Sequence, residues 1–198
     1  TSTPPRSPQA SHSSRKRNAE HGIAVIEGLR DAQVGAAVKH YPGLGAVSGN
    51  TDFTTEGILD TTTTLGGAEA GAFDQAITKT DPAMVMMSLA TYQSIDPNNP
   101  AVFSSTIIDG HIRNALKYTG VVISDSMSAE ALSSYDVSQL GVKLVEAGGD
   151  MSCIGQTDYV KPIVDGLNER AKSDPAFASK VTAAATRVMA LKIKMGLA

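Results

Sequence analysis

Short runs of consecutive apolar residues alternate with longer stretches of helical periodicity along this chain. Residues 34–38, 83–89 and 121–123 are brief, largely apolar segments, and strands are predicted over 35–40, 83–89, 121–123 and 150–154. Such runs predict strands buried on both faces, as in a parallel sheet. Between them lie helical patterns. Ile23, Ile26 and Leu29 mark a helix over 18–32, and Ala70, Phe73, Ala76 and Ile77 mark one over 67–78. Ser104 is a candidate N-cap for a helix reaching residue 118, with Ile107, Ile108, Ile112 and Leu116 on one face. Further helices are predicted over 126–133, over 137–147 (ended by Gly148-Gly149), over 161–172 and over 176–195. Alternation of this kind defines an α/β protein with parallel strands. Four strands cannot close an eight-stranded barrel, so they predict a small open sheet or half of a barrel.

The polar stretches complete the outline. Residues 1–17, rich in Ser, Pro and Arg, read as an extended arm ahead of one domain over 18–198. Residues 46–64 form a long polar loop carrying Asn50, Asp52, Glu56 and Asp60. Any of these carboxylates is a candidate general acid, although most such residues are solvated or terminate turns. A second loop covers 90–100.

Composition narrows the function classes. The chain has 198 residues, 41% hydrophobic and 19% charged, with a net charge of -3, which gives no support to nucleic-acid binding. No run is long and apolar enough to span a membrane. The single cysteine, Cys153, has no internal partner. The chain opens without Met and without a signal-peptide pattern, so its N-terminus reads as processed or truncated. The Ser/Thr/Gly-rich, lysine-poor composition suits a secreted or cell-envelope protein, and a cytoplasmic location stays open. No nucleotide-binding glycine pattern occurs.

Candidate chemistry gathers at two strand ends. Asp125 follows Val121-Val122-Ile123, where a parallel strand delivers functional groups, and it could equally cap the next helix. Lys39 and His40 close the first strand ahead of Pro42. They read either as donors to a polar ligand or as a lysine at the rim beside a backbone-satisfied histidine. Met84, Met86 and Met87 lack neighbouring His or Cys and read as packing. His111 is expected on the solvent side of its helix.

The two stretches Lys39-His40-Tyr41-Pro42-Gly43-Leu44-Gly45 and Gly120-Val-Val-Ile-Ser-Asp125-Ser-Met-Ser together resemble glycoside hydrolase family 3, in its single-domain β-N-acetylglucosaminidase branch. The likeness runs from about residue 20 to the end. It implies the C-terminal half of a TIM-type (β/α) barrel. The other half would be supplied by an N-terminal half-barrel fragment or by a second copy of the chain. It also implies a carbohydrate substrate, no metal and no organic cofactor. Asp125 is then the nucleophile of a retaining exo-β-glycosidase acting on N-acetylglucosaminides or β-glucosides, with a second group about 5–5.5 Å away to protonate the leaving oxygen. Lys39, His40 and Arg6 would bind sugar, while Ser124 and Met127 would shape the pocket floor.

One departure stands out. The family branch carries Pro-Gly-His-Gly and then Asp-Ser-His, with the last histidine as acid/base. Here Leu44 replaces the first histidine, and Asn50-Thr51-Asp52 occupies the dyad. Asp52 is therefore the candidate acid/base, with Glu56 as a substitute. The alternatives are a loop altered for other substrates and a non-catalytic carbohydrate-binding member.

Overall fold

The computed structural model describes residues 12–47, 49–54 and 58–198, with side chains from residue 17 onward. Helix α1 runs His12–Asp31, so the six residues before 18 are helical rather than part of an extended arm. Residues 1–11, including Arg6, lie outside the described residues, as does Glu56.

Four strands form the principal sheet: β1 (Ala37–Tyr41), β3 (Met84–Met87), β5 (Val121–Ser126) and β6 (Met151–Cys153). All neighbours are parallel and the spatial order is β1-β3-β5-β6, the order of the sequence. Among the described residues no strand reverses the direction of growth, so these four strands hold no switch point of the doubly wound kind. Right-handed crossovers then place every connecting helix on one face. This is the winding of a (β/α) barrel segment, and β1 and β6 are its two open edges.

Pairing register fixes the faces. Ala37, Met84 and Val121 share a row, as do Met86, Ile123 and Met151. Along β3, Met84 and Met86 are half-buried while Val85 and Met87 are buried. The packing role expected for the methionines therefore holds fully for Met87. Met84 and Met86 lie on the opposite sheet face and are only half-buried.

The polar loops hold short pairings that periodicity cannot reveal. β2 (Leu59–Asp60) pairs in parallel with β4 (Thr91–Tyr92). Asp60 is buried, and its carboxylate accepts from Thr62 N–H (2.8 Å), Thr63 N–H (2.7 Å) and the Thr63 hydroxyl (2.6 Å). Burial alone would raise its carboxyl, but these hydrogen bonds outweigh it and hold the group below the usual range. Asp60 is a turn-former.

On the covered face, α2 (Ala68–Thr80) packs against α1, where Ile26, Ala36 and Ala76 form a small cluster. The segment after Ser104 is a π-helix, Thr106–Ala115, with Ile107, Ile108 and Ile112 buried. The Ser104 hydroxyl accepts from Ile107 N–H (3.3 Å), as an N-cap would, but the helix ends three residues early, where Lys117 takes a positive φ of 58°. α3 (Val137–Glu146), α4 (Val160–Ser173) and α5 (Pro175–Lys194) follow prediction closely. Gly148, with φ +102°, turns the chain after α3, and a Cβ there would collide with the Asp109 carboxylate.

Residues 126–133 do not form the expected helix. β5 continues to Ser126, and only a 3-10 turn, Glu130–Leu132, follows. The backbone is claimed elsewhere: Met127 N–H donates to Cys153 O (2.8 Å), which keeps the segment alongside β6.

Candidate active site

Parallel pairing brings the C-terminal ends of β1, β3 and β5 to one rim. Tyr41 pairs with Met87, and Met87 with Ser124. His40 immediately precedes that row and Asp125 immediately follows it. Across the end of β3, His40 Nε2 lies 3.4 Å from Asp125 Oδ2. The Lys39–His40 and Tyr41–Pro42 peptide bonds are both cis. The Lys39 side chain is exposed at the same rim.

Burial pushes the His40 imidazole below its ordinary value. Asp125 pulls it up, Lys39 pushes it down and Asp52 pulls it up, and burial prevails. Asp125 does not cap a helix, since none begins there. Its Oδ1 accepts from Ser126 N–H (2.8 Å), which leaves Oδ2 toward His40.

Asp52 lies on the polar loop within electrostatic reach of His40. Two bonds settle the loop. Ala131 N–H donates to Thr51 O (3.1 Å), laying it over the 3-10 turn behind Asp125, and Thr51 is buried. Asp52 N–H donates to Asn50 Oδ1 (2.9 Å), so Asn50 is spent on a local turn.

Met127 is only 1% exposed and belongs to the main core, so it supports the rim from beneath and does not present itself to a ligand. Leu132 and Leu140 belong to the same cluster of buried apolar residues. Ser124 is likewise buried, and its hydroxyl accepts from Cys153 N–H (2.9 Å), locking β5 to β6. Neighbours that the sequence reading missed are Ser126 and Ser128, whose hydroxyls lie 3.1 Å apart, and Gly155 from the loop after β6. A Cβ at Gly155 would sit 2.9 Å from Ser128 Oγ and 3.3 Å from Ser126 Oγ. The Ser-Asp-Ser-Met-Ser pattern around Asp125 was the available signal.

A groove of about 390 Å³ lies elsewhere. It is lined by Met151, Ile163, Val164, Val188 and Met189, among others, beside the open edge of β6. Among the described residues no three His, Cys, Asp or Glu side chains are grouped to hold a metal ion. Among the described residues no helix is long and apolar enough to cross a membrane.

A parallel sheet with a carboxylate and a Lys-His pair at its C-terminal rim has the layout of a (β/α) barrel segment, whose strand ends carry functional groups. The comparisons make that specific. The model of the glycosyl hydrolase family 3 N-terminal domain matches residues 2–191, and the chain belongs to glycoside hydrolase family 3. The crystal structure of β-N-acetylhexosaminidase from Beutenbergia cavernae superposes with a TM-score of 0.84 at 36% identity, covering 90% of this chain and 53% of that one. A β-hexosaminidase of Nitrosomonas eutropha is 30% identical over 137 residues, 69% of this chain and 39% of its own length. A protein of Arthroderma benhamiae, named as an uncharacterized secreted glycosyl hydrolase, is 34% identical over 123 residues, 59% of this chain and 33% of its own length. The chain thus spans between a third and about half the length of these relatives.

Proposed function

We propose that this chain carries the nucleophile half of a retaining exo-β-glycosidase that removes terminal β-linked N-acetylhexosamine. The observation that carries the reading is the Asp125–His40 pair at the C-terminal rim of a family 3 sheet. Asp125 Oδ2 attacks the anomeric carbon as the glycosidic bond breaks, and Asp52 protonates the departing oxygen. A water then gives its proton to the Asp52 carboxylate and attacks the glycosyl–Asp125 ester, releasing the sugar and restoring both carboxyls. Lys39 and His40 donate to sugar hydroxyls, and Arg6 joins them from the segment outside the described residues. The hexosaminidase names of the relatives support the N-acetyl preference, and the secreted name of one supports export.

The site is completed by further (β/α) units. The open edges of β1 and β6, the half-buried Met84 and Met86, and the relatives' greater length all support a partner half. It is supplied by another part of a longer polypeptide or by a second copy.

The test is hydrolysis of aryl β-N-acetylglucosaminide and aryl β-glucoside by the wild type, Asp125→Asn and Asp52→Asn. Activity on the first, lost in Asp125→Asn, is expected. Full activity in Asp125→Asn rejects the nucleophile. Sugar binding without turnover favours a second reading, a non-catalytic carbohydrate-binding member, which the use of Asn50 in a turn supports.

A further inference from the structure

Directly behind the rim lies a polar network that the glycosidase reading does not use. Tyr41, fully buried and next in sequence to His40, donates its hydroxyl to Asp74 Oδ1 on α2 (2.9 Å). The other oxygen of Asp74 lies 3.1 Å from Nε2 of His111, on the π-helix. The Tyr41 ring stacks on the His111 ring, with centroids 6.4 Å apart and planes at 27°, and meets Phe73 edge-on at 5.8 Å. His111 is therefore not on the solvent side expected from its helix. Its Asp74 partner draws it against the sheet.

Burial, reinforced by Asp74, raises the Tyr41 hydroxyl, so it stays protonated and always donates. Two further bonds fix the same loop: Ser88 N–H to Tyr41 O (2.9 Å) and the Tyr92 hydroxyl to Gly43 O (2.8 Å). By contrast, the His40–Asp125 approach of 3.4 Å is an ion-pair distance and not a formed hydrogen bond, so a small displacement of β1 decides whether one forms.

We infer that Asp74 is a positioning residue of the site: from α2, braced by His111, it holds the Tyr41 hydroxyl and so sets the reach of His40 to Asp125. This rests on reading His40 and Asp125 as the site. Asp74 touches neither the ligand position nor Asp125 and acts only through the planar backbone joining Tyr41 to His40.

The experiment is a ¹H–¹⁵N NMR titration of the four histidines in the 198-residue chain, with thermal melts alongside. The charged groups facing His40 are Asp125, Lys39 and Asp52. Asp125→Asn removes an upward pull, so the His40 midpoint falls. Asp74→Ala and Tyr41→Phe, the latter keeping the ring, are expected to move it the same way by about half a pH unit. Asp74→Asn keeps an acceptor for Tyr41 and is expected to restore the wild-type midpoint. If Asp74→Ala and Tyr41→Phe lower only the melting temperature and leave His40 unmoved while Asp125→Asn shifts it, the network is merely structural and the inference is overturned. If Asp125→Asn itself leaves His40 unmoved, the underlying pair fails, and the inference with it.

Discussion

Arg187 reaches from the last helix to Asp150 at the start of β6, with Nε 2.7 Å from Oδ1. The second Asp150 oxygen lies 2.5 Å from Arg113 Nη2 and accepts from Val122 N–H (2.8 Å). The Asp150 side chain is wholly buried, so one carboxylate ties the π-helix, β5, β6 and α5 together. Asp150→Ala would leave two guanidinium groups without their anion and is expected to cost about 3–5 kcal/mol. A urea melt checks it, and a loss under about 1 kcal/mol would contradict the role.

Helices α3 and α4 approach closely at Gly166. A Cβ there would collide with the carbonyl oxygen of Ser138, a backbone atom that cannot rotate away. Gly166→Ala is expected to force the helices apart at a cost of about 1–3 kcal/mol, read as a lowered urea midpoint. An unchanged midpoint would mean that α4 can shift freely over α3.

His40 should leave a mark on stability against pH. A histidine held below its unfolded value of about 6.5 stabilises the fold only while neutral. Its contribution is fully present above that pH and is lost as pH falls through the depressed folded value. His40→Gln is expected to flatten the decline in melting temperature between about pH 7 and 5. Asp60, Asp96 and Asp136, all held below the usual carboxylate range, lose their contributions at lower pH and so do not blur the comparison. Parallel curves for the wild type and the variant would refute the prediction.

Asp52 as acid/base should reveal itself through the leaving group. A nitrophenolate departs with little protonation, whereas a sugar alkoxide needs the proton. Asp52→Asn is expected to lose about 10²–10⁴-fold on a disaccharide and far less on the nitrophenyl glycoside. Equal losses on the two substrates would count against proton donation and assign Asp52 to binding.

The strands and long helices were legible because each carried an uninterrupted apolar run or a clear periodicity, as in Val121–Ile123 and Phe177–Val181. The Asp125 and Lys39-His40 motifs marked both halves of the rim. What stayed hidden was decided by non-local bonds. The Ser126–Ser133 segment had helix-compatible spacing, but β6 claimed Met127 N–H. His111 looked exposed on a helical wheel because its partner, Asp74, is 37 residues away. The resemblance implies that Met127 shapes the pocket floor, and the structure buries its side chain in the main core.

Strand order equal to sequence order has a consequence for how the chain is made. As synthesis proceeds from the N-terminus, β3 meets β1, β5 meets β3 and β6 meets β5, each on an edge that already exists. No strand must wait for a later one to be inserted between it and its neighbour. Both outer strands of the sheet, β1 and β6, are left with an unpaired edge.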